Sequence, residues 1–319
     1  MTDTPASPPR VNRRTLDYSP YMTAEPRLRA LVEQGDFGRG LQPDYMREAC
    51  REVLPYEWHH QAGFQPVVVS PDEDAASELI IDALAVGSGE RSLDAVLRTL
   101  FTTTADALLR RDRVYCEIAY TTSPDHSAEL QSDGFRLLPV PLGTVRRRRG
   151  HLVQYVPARL ATQRTRRGVG FIDLEDCALA VFEIDERLGR QVRYATTALA
   201  SHDAFTGMLE PDVQRAAGAD ITAATAEIGW NGRVERLWKG QLIPYQVWRD
   251  LQCLAFKIKL RESILMCLNS ALTEAGLVLD VPMKVELHDV TTLDQVHEAQ
   301  RDLVEGRRNL DELRSWALQ

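Results

Sequence analysis

The feature that most constrains the fold of this chain is a long helical pattern in its last quarter. Residues from Pro244 to Glu274 contain no internal proline or glycine, and their apolar residues recur at helical spacing. A helix of this length spans about 45 Å at a rise of about 1.5 Å per residue. The rest of the sequence offers few partners of similar length. We therefore expect the helix to take part in an assembly, which argues against a self-contained enzyme.

Two apolar seams run along this helix, and two neighbours could pack on them, as in a ring of helices. The alternative is a helix that is buried inside one domain, and the pattern alone fits both arrangements. If the helix belongs to such an assembly, we expect its apolar side chains to pack between subunits. These are Leu251, Leu254, Ile258, Leu265, Leu268, Phe256, Leu260 and Ile264.

A basic run from Arg146 to Arg149 is one candidate for contact with nucleic acid, and no acidic residue occurs between Asp133 and Asp173. Arginine side chains grip phosphate oxygens without reading bases. A solvated hairpin tip, or an interface with an acidic protein, explains the same run. The individual members of this basic segment are Arg146, Arg147, Arg148, Arg149, Arg159, Arg164, Arg166 and Arg167.

A second basic cluster, formed by Lys257, Lys259 and Arg261, lies in the middle of the long helix. Helical spacing does not allow all three side chains to share one face, so we expect one or two of them to face a nucleic acid.

Bulk composition excludes several classes of protein. The net charge of −8 and the pI near 5.5 do not suit a dedicated duplex-DNA binder. Five scattered cysteines without a CxxC motif indicate buried thiols in a reducing compartment. The N-terminus lacks the apolar stretch of a secretory signal. Charged and polar residues interrupt every apolar run before the roughly 18 residues of a membrane span, so we expect no membrane contact.

The common sequence motifs of catalysis and metal binding are missing from the sequence. It contains no phosphate-binding GxxxxGK[ST], no GxSxG and no HExxH. His59-His60 and the pair His288/His297 lack cysteine or carboxylate partners at ligand spacing. We therefore expect no enzyme activity, no cofactor and no metal, although an enzyme whose site is assembled only in space stays an alternative.

Short helices and strands fill the region before the long helix. Residues 1–60 are expected to form a partly extended arm, with a short helix at Pro43–Val53. Helices are predicted after Ser70 and from Ser92 to Arg110, and a strand pair is predicted between Leu277 and Val290. Further strands are predicted at Gln65–Ser70, Val114–Tyr120, Gly134–Pro141, His151–Pro157, Gly170–Asp173 and Ala178–Ile184. This mixture indicates an α+β fold.

In order along the chain, several segments resemble those of bacteriophage portal proteins. The passage from Asp106 to Thr121 (DALLRRDRVYCEIAYT) resembles the family's helix-to-strand step, with Glu117 and Ile118 at the family's acidic and hydrophobic positions. The segments that resemble the family's following strands, long helix and tail are GFRLLPVPLGTV, HLVQYVP, IDLEDCALAVF, Pro244–Glu274 and LVEGRRNLDELR. The chain departs from the pattern at Arg111-Asp112, where the family usually has glycine.

The resemblance implies a domain organisation and a function. It implies a wing-like α/β domain at 61–195, a stem and clip region at 196–243, a stem-to-wing helix at 244–275 and a C-terminal tail at 276–319. It further implies a ring of about twelve subunits at a capsid vertex of the virion, assembled in the host cytoplasm. Double-stranded DNA passes through the ring, and the major capsid protein, terminase and head-completion or adaptor proteins dock on it. The alternative function is a DNA- or RNA-binding or regulatory module that uses Arg146–Arg167.

Overall fold

The computed structural model describes residues 44–55, 64–85, 89–111, 113–121, 133–157, 163–164, 170–174, 178–205, 221–230 and 243–317. Helices pack against antiparallel sheets, so the protein belongs to the α+β class, as predicted. The described helices are α1 (Asp44–Arg51), α2 (Glu73–Leu84), α3 (Leu93–Arg110), α4 (Glu186–Phe205), α5 (Ile243–Leu279), α6 (Leu293–Glu305) and α7 (Leu310–Ala317). The described strands are β1 (Gln65–Val69), β2 (Arg113–Thr121), β3 (Gly134–Pro139), β4 (Val145–Arg148), β5 (His151–Val156), β6 (Gln163–Arg164), β7 (Gly170–Asp173), β8 (Leu179–Glu183) and β9 (Lys284–His288).

Capping side chains fix where the first well-formed helices begin. The Asp72 carboxylate accepts from the amide of Ala75 at 3.1 Å, and the Ser92 hydroxyl accepts from the amide of Ala95 at 3.2 Å. Each bond satisfies a backbone donor that the first helical turn leaves free. Helix α3 then turns Val96, Leu97, Phe101 and Leu108 into the core, which is the face that its sequence period predicts.

Three antiparallel sheets organise the strands. The central sheet has the order β3-β2-β8, and a second sheet has the order β4-β5-β7-β6. The third joins β1 to β9, with Val67 opposite Glu286. The predicted strand pair between Leu277 and Val290 is therefore wrong. Helix α5 extends through Leu279, and the single strand that follows pairs with a strand from the start of the chain.

The side-chain amide of Asn269 joins α5 to the edge of β9. It donates to the Val285 carbonyl at 2.9 Å and accepts from the Val285 amide at 2.8 Å. One side chain thus satisfies both backbone groups of a strand residue, and it fixes the distance between α5 and the β1–β9 sheet.

One large core contains most of these elements. Its members run from Met46 and Cys50 on α1, through all of the central sheet, to Val285 on β9. Helix α1 confirms the short helix predicted at Pro43–Val53, and it packs into this core although it lies within the segment 1–60 that was predicted as a partly extended arm. The continuous helix α4 runs through the boundary predicted between residues 195 and 196. Residues 1–43, and 206–220 and 231–242 of the predicted stem and clip, lie outside the described residues.

Helix α5 is buried on two sides within its own chain. Phe256, Leu260, Ile264 and Leu268 belong to the large core, and Leu265 packs against it. On the other side, Leu251 and Ile258 form a second cluster with α6 and α7, against which Leu254 packs. Six of the eight side chains that were predicted to pack between subunits are buried by elements of the same chain, and Leu254 and Leu265 are half-buried against these elements.

By length and composition, α5 could also cross a membrane, which the sequence analysis did not predict. Its most apolar window of 18 residues has a mean hydropathy of 1.2, and 39% of that window is buried inside the protein. The two packed seams explain its apolar composition, because a helix with neighbours on two sides needs two apolar faces.

Apart from exposed residues near its two ends, α5 remains open along a narrow stripe on one side. We call it the α5 stripe, and its exposed members follow one another at intervals of three or four residues, as neighbours on a helix surface do. They are Lys259, Glu262, Met266, Ser270, Thr273 and Leu277. Met266 is 66% exposed and Leu277 is 82% exposed.

Residues 221–230 form a short helical turn that sits directly on α5. Gly229 has a φ of +69°, and a Cβ added to it would lie 2.4 Å from the Arg249 carbonyl oxygen and 2.4 Å from the Cys253 amide nitrogen. The Arg249 side chain, 1% exposed, donates to Thr225 Oγ1 at 2.6 Å and to the Trp230 carbonyl at 2.7 Å. Backbone meets backbone here, and only glycine allows that approach at this φ.

Candidate functional site

The three basic residues in the middle of α5 point in different directions. Lys257 is half-buried beside the thiols of Cys50 and Cys253, and its charge acts on both. Arg261 is 5% exposed, and its guanidinium donates to the Thr291 carbonyl at 2.6 Å. Only Lys259 lies on the α5 stripe. The structure therefore does not bring the predicted cluster together on one surface.

Arg261 is a structural residue, and the prediction that it faces nucleic acid is wrong. Burial lowers the pKa of Arg261 from its usual range, although Glu262 beside it acts in the opposite direction. The guanidinium holds the loop before α6 against α5 through its bond to Thr291. A side chain committed to this contact is not available to a phosphate.

The Lys259 side chain lines a groove of about 700 Å³. The groove runs between the start of α4, the 221–230 segment, α5 and α6. Its walls carry both signs of charge, from Arg187 and Lys259 and from Asp185, Glu227 and Glu262. The remaining lining residues are Leu188, Gln191, Gln252, Ala255, Phe256, Ser263, Met266, His297 and Gln300.

A basic face on α4 continues from this groove. Arg187, Arg190 and Tyr194 follow one another by three and four residues, and all three are exposed. They line a smaller groove of about 290 Å³ with Glu227. Sequence reasoning missed this face because α4 was not recognised as a helix. The spacing of the two arginines and Tyr194 after strand β8 was the available signal.

The predicted basic run from Arg146 to Arg149 lies at the tip of a hairpin. Strands β4 and β5 pair with Arg148 opposite His151, so Arg149 and Gly150 form a two-residue turn. Their φ values of 52° and 92° are the positive values that such a tight turn requires. A hairpin tip was one of the alternatives that the sequence left open for the run from Arg146 to Arg149.

Two of the four arginine side chains in the hairpin contact other groups of the protein, and two are exposed to solvent. Arg146 Nη1 donates to the carbonyl of its neighbour Val145 at 2.7 Å. The Arg148 guanidinium stacks on the Phe171 ring, 4.5 Å from its centroid. Arg147 and Arg149 are exposed. Arg159, Arg166 and Arg167 lie outside the described residues, and Arg164 lies on β6.

Histidines and acidic residues form no metal centre in the described ranges: no group of three or more His, Cys, Asp or Glu side chains there could hold a metal ion. His288 lies 3.6 Å from Glu286 at the exposed end of β9, and His297 lines the groove beside Lys259. His59-His60 falls outside the described residues.

The chain matches no protein-family model, and a search of curated proteins finds no significant match.

Proposed function

We propose that this protein is a portal-like subunit of an oligomeric ring at a viral capsid vertex, through which double-stranded DNA is packaged and ejected. The observation that carries the proposal is the distribution of exposed apolar side chains. Of nine large exposed hydrophobic side chains in the described residues, five lie on α5: Ile243, Tyr245, Met266, Leu277 and Val278. They are spread over about 50 Å of helix at about 1.5 Å per residue, so in this proposal α5 offers a neighbouring copy several separate apolar contacts and not one patch.

In such a ring, the surface of α5 that contacts a neighbouring copy is not the one predicted from the sequence. Because both predicted seams are filled within the chain, the contact between copies falls to the α5 stripe and to the ends of the helix. A head-to-tail ring joins two different patches of the same chain, and closure leaves no copy with an open apolar patch. The α5 stripe therefore packs on a different surface of the neighbouring subunit in this proposal.

The charge distribution supports passage of DNA more than tight binding. A net charge of −8 repels the phosphate backbone, which keeps DNA from sticking inside a channel. Lys259, Arg187 and Arg190 supply a few exposed positive charges for transient contacts with phosphates. In this proposal, terminase, adaptor and capsid proteins dock outside the channel.

Size measurement of the purified full-length protein tests the proposal. We expect multi-angle light scattering to give a closed oligomer, and the double substitution Met266→Glu with Leu277→Glu to shift it to smaller species by charging the α5 stripe. The matched control is Val304→Glu, which charges an apolar residue that is 74% exposed on α6. An oligomer that all these variants leave unchanged, or a wild-type monomer, would contradict the proposal.

A nucleic-acid-binding module is the second candidate, and the exposure of Arg147 and Arg149 at the hairpin tip favours it. Here the pair Arg147→Gln with Arg149→Asn should weaken duplex DNA binding and reduce its salt dependence. Two lost phosphate contacts reduce the slope of log K against log salt by about 1.8. Arg148→Gln is the control, since Arg148 is held against Phe171. Unchanged affinity and slope in the double variant would remove this candidate.

A further inference from the structure

A groove of about 290 Å³ lies between α4 and the 221–230 segment, and we call it the α4 groove. Helix α4 contributes Tyr194 to its lining, and the 221–230 segment contributes Ala223 and Ala224. Tyr194 is 65% exposed, so its aromatic ring is open to a ligand. An aromatic ring on one side of a groove and small apolar side chains on the other favour a flat ring system as the ligand. The volume is close to the lower end of the range for small-molecule sites, about 300–1,000 Å³.

The two ends of the α4 groove differ in chemistry. Arg187, Gln191 and Glu227 line both this groove and the larger groove of about 700 Å³, so they lie at the end where the two grooves meet. Tyr194 lines only the α4 groove and therefore lies toward its other end. At a rise of about 1.5 Å per residue, Tyr194 follows Arg187 by about 10 Å along α4, with Arg190 between them. A charged end is thus followed by an aromatic end.

The arginine side chains of the α4 groove are available to a ligand, whereas the nearby carboxylates already accept hydrogen bonds. Asp185 Oδ1 accepts from two amides in the first turn of α4, at 2.8 and 3.2 Å. Glu227 Oε2 accepts from the side-chain amide of Gln191, which ties the 221–230 segment to α4. The guanidinium groups of Arg187 and Arg190 form no ion pair or hydrogen bond with the residues that the structure describes.

This lining favours an anion that also carries a flat ring. Arg187 and Arg190 against Glu227 leave the lining with one positive charge in excess. Guanidinium groups match the geometry of phosphate oxygens, and every nucleic-acid base has a face that stacks on an aromatic ring. A nucleotide combines both groups at its two ends, in the order in which the groove offers their partners.

We infer that the α4 groove binds a nucleotide, whose base stacks on Tyr194 and whose phosphate contacts Arg187 and Arg190. A free mononucleotide and an unpaired nucleotide of a single strand share this chemistry. Duplex DNA does not, because its bases stay inside the stack and do not reach a side chain such as Tyr194. The inference goes beyond the proposed function, since one chain forms the whole groove and no ring is needed.

Isothermal titration calorimetry of the full-length protein tests the inference with two probes, adenosine monophosphate and a single-stranded adenosine hexanucleotide. We expect at least one of them to bind, with an affinity that falls as the salt concentration rises, because the phosphate is held by charge. If both bind, a free nucleotide is sufficient; if only the hexanucleotide binds, the ligand is a single strand. Adenosine, which lacks the phosphate, should bind more weakly than adenosine monophosphate.

Variants of Tyr194 test the stacking contact. Tyr194→Ala should weaken binding by about 5- to 150-fold, the range for the loss of one stacked base. Tyr194→Phe keeps the ring and should bind as the wild type does. Because Tyr194 is exposed, we expect both variants to fold, and circular dichroism checks this.

Variants of the arginine residues test the phosphate contact. Arg190→Gln should weaken the binding of adenosine monophosphate and leave that of adenosine unchanged. The matched control is Arg193→Gln, because Arg193 is exposed on the same helix but does not line the α4 groove. The control should bind both ligands as the wild type does.

Two results would overturn the inference. One is that neither the mononucleotide nor the hexanucleotide binds at millimolar concentration. The other is that Tyr194→Ala leaves the affinity unchanged. Light scattering keeps this test apart from that of the ring, because Tyr194→Ala should not alter the size of the oligomer. A smaller oligomer with unchanged nucleotide affinity would make Tyr194 a contact between copies and would also overturn the inference.

Discussion

The substitution Gly229→Ala tests the seating of the 221–230 segment on α5. At a φ of +69°, the side chain itself costs about 1–2 kcal/mol, because L residues with a Cβ avoid left-handed backbone. The added Cβ would also lie 2.4–2.5 Å from three atoms of Arg249, Gln252 and Cys253. Ordinary carbon contacts need about 3.5–4.0 Å, so the segment must move by about 1 Å.

This movement of the segment also weakens the hydrogen bonds that Arg249 donates to it. It stretches the Arg249 bonds to Thr225 Oγ1 and to the Trp230 carbonyl, now 2.6 and 2.7 Å. A hydrogen bond to a charged group contributes about 1.5–3 kcal/mol, and loss of one or weakening of both gives about 2–3 kcal/mol. Together with the cost of about 1–2 kcal/mol for a side chain in left-handed backbone, Gly229→Ala should lower the free energy of unfolding by about 3–5 kcal/mol.

Urea unfolding followed by circular dichroism measures this loss, and the chain provides a matched control. Gly306 has a φ of +68°, but a Cβ there would meet nothing within 4 Å. Gly306→Ala should therefore show the backbone cost alone, about 1–2 kcal/mol. If the two variants lose the same free energy, the close contact between Gly229 and α5 is not real, and the position of this segment is wrong.

Three further predictions follow from side chains on α5. Arg261→Gln should lower the free energy of unfolding by about 1.5–3 kcal/mol, whereas Lys259→Gln on the α5 stripe should leave it unchanged; urea titration distinguishes them. Asn269→Leu should cost about 2–4 kcal/mol and speed hydrogen exchange at the Val285 amide, because both backbone groups of that residue lose their partner. The Cys50 thiol lowers the pKa of Cys253 to about 7 although burial raises it, so alkylation of Cys253 should rise with pH through about 7 and level off above it, because the thiolate reacts; a midpoint near 9 would contradict this.

Local pattern was enough to predict most individual elements before α5. Helix α3 follows its predicted span because Ser92 caps it and its apolar residues keep one period. Strand β7 also occupies its predicted residues, the other five strands predicted there deviate by a residue or two, and β4 and β6 were not predicted. Helix α5 continues beyond the predicted end because Gly276 does not terminate it. A Cβ at Gly276 would lie 2.6 Å from the Val281 carbonyl, so close approach of the returning chain explains this glycine.

Contacts between distant parts of the chain could not be predicted from the sequence. Which strand pairs with β9 depends on where residues 65–69 lie, and no local period carries that information. The two seams of α5 were recognised, but the sequence did not show that α6, α7 and the large core fill them. For the candidate site, Arg261 and Lys259 look alike in sequence and differ in burial only through their neighbours.

The most direct test of the portal-like proposal is the mass and shape of the assembled wild-type protein. Light scattering at several concentrations, with negative-stain images of the same sample, measures both. The proposal predicts closed rings of about a dozen copies that the α5 stripe variant disrupts and Val304→Glu preserves. A monodisperse monomer or dimer at high concentration would contradict it.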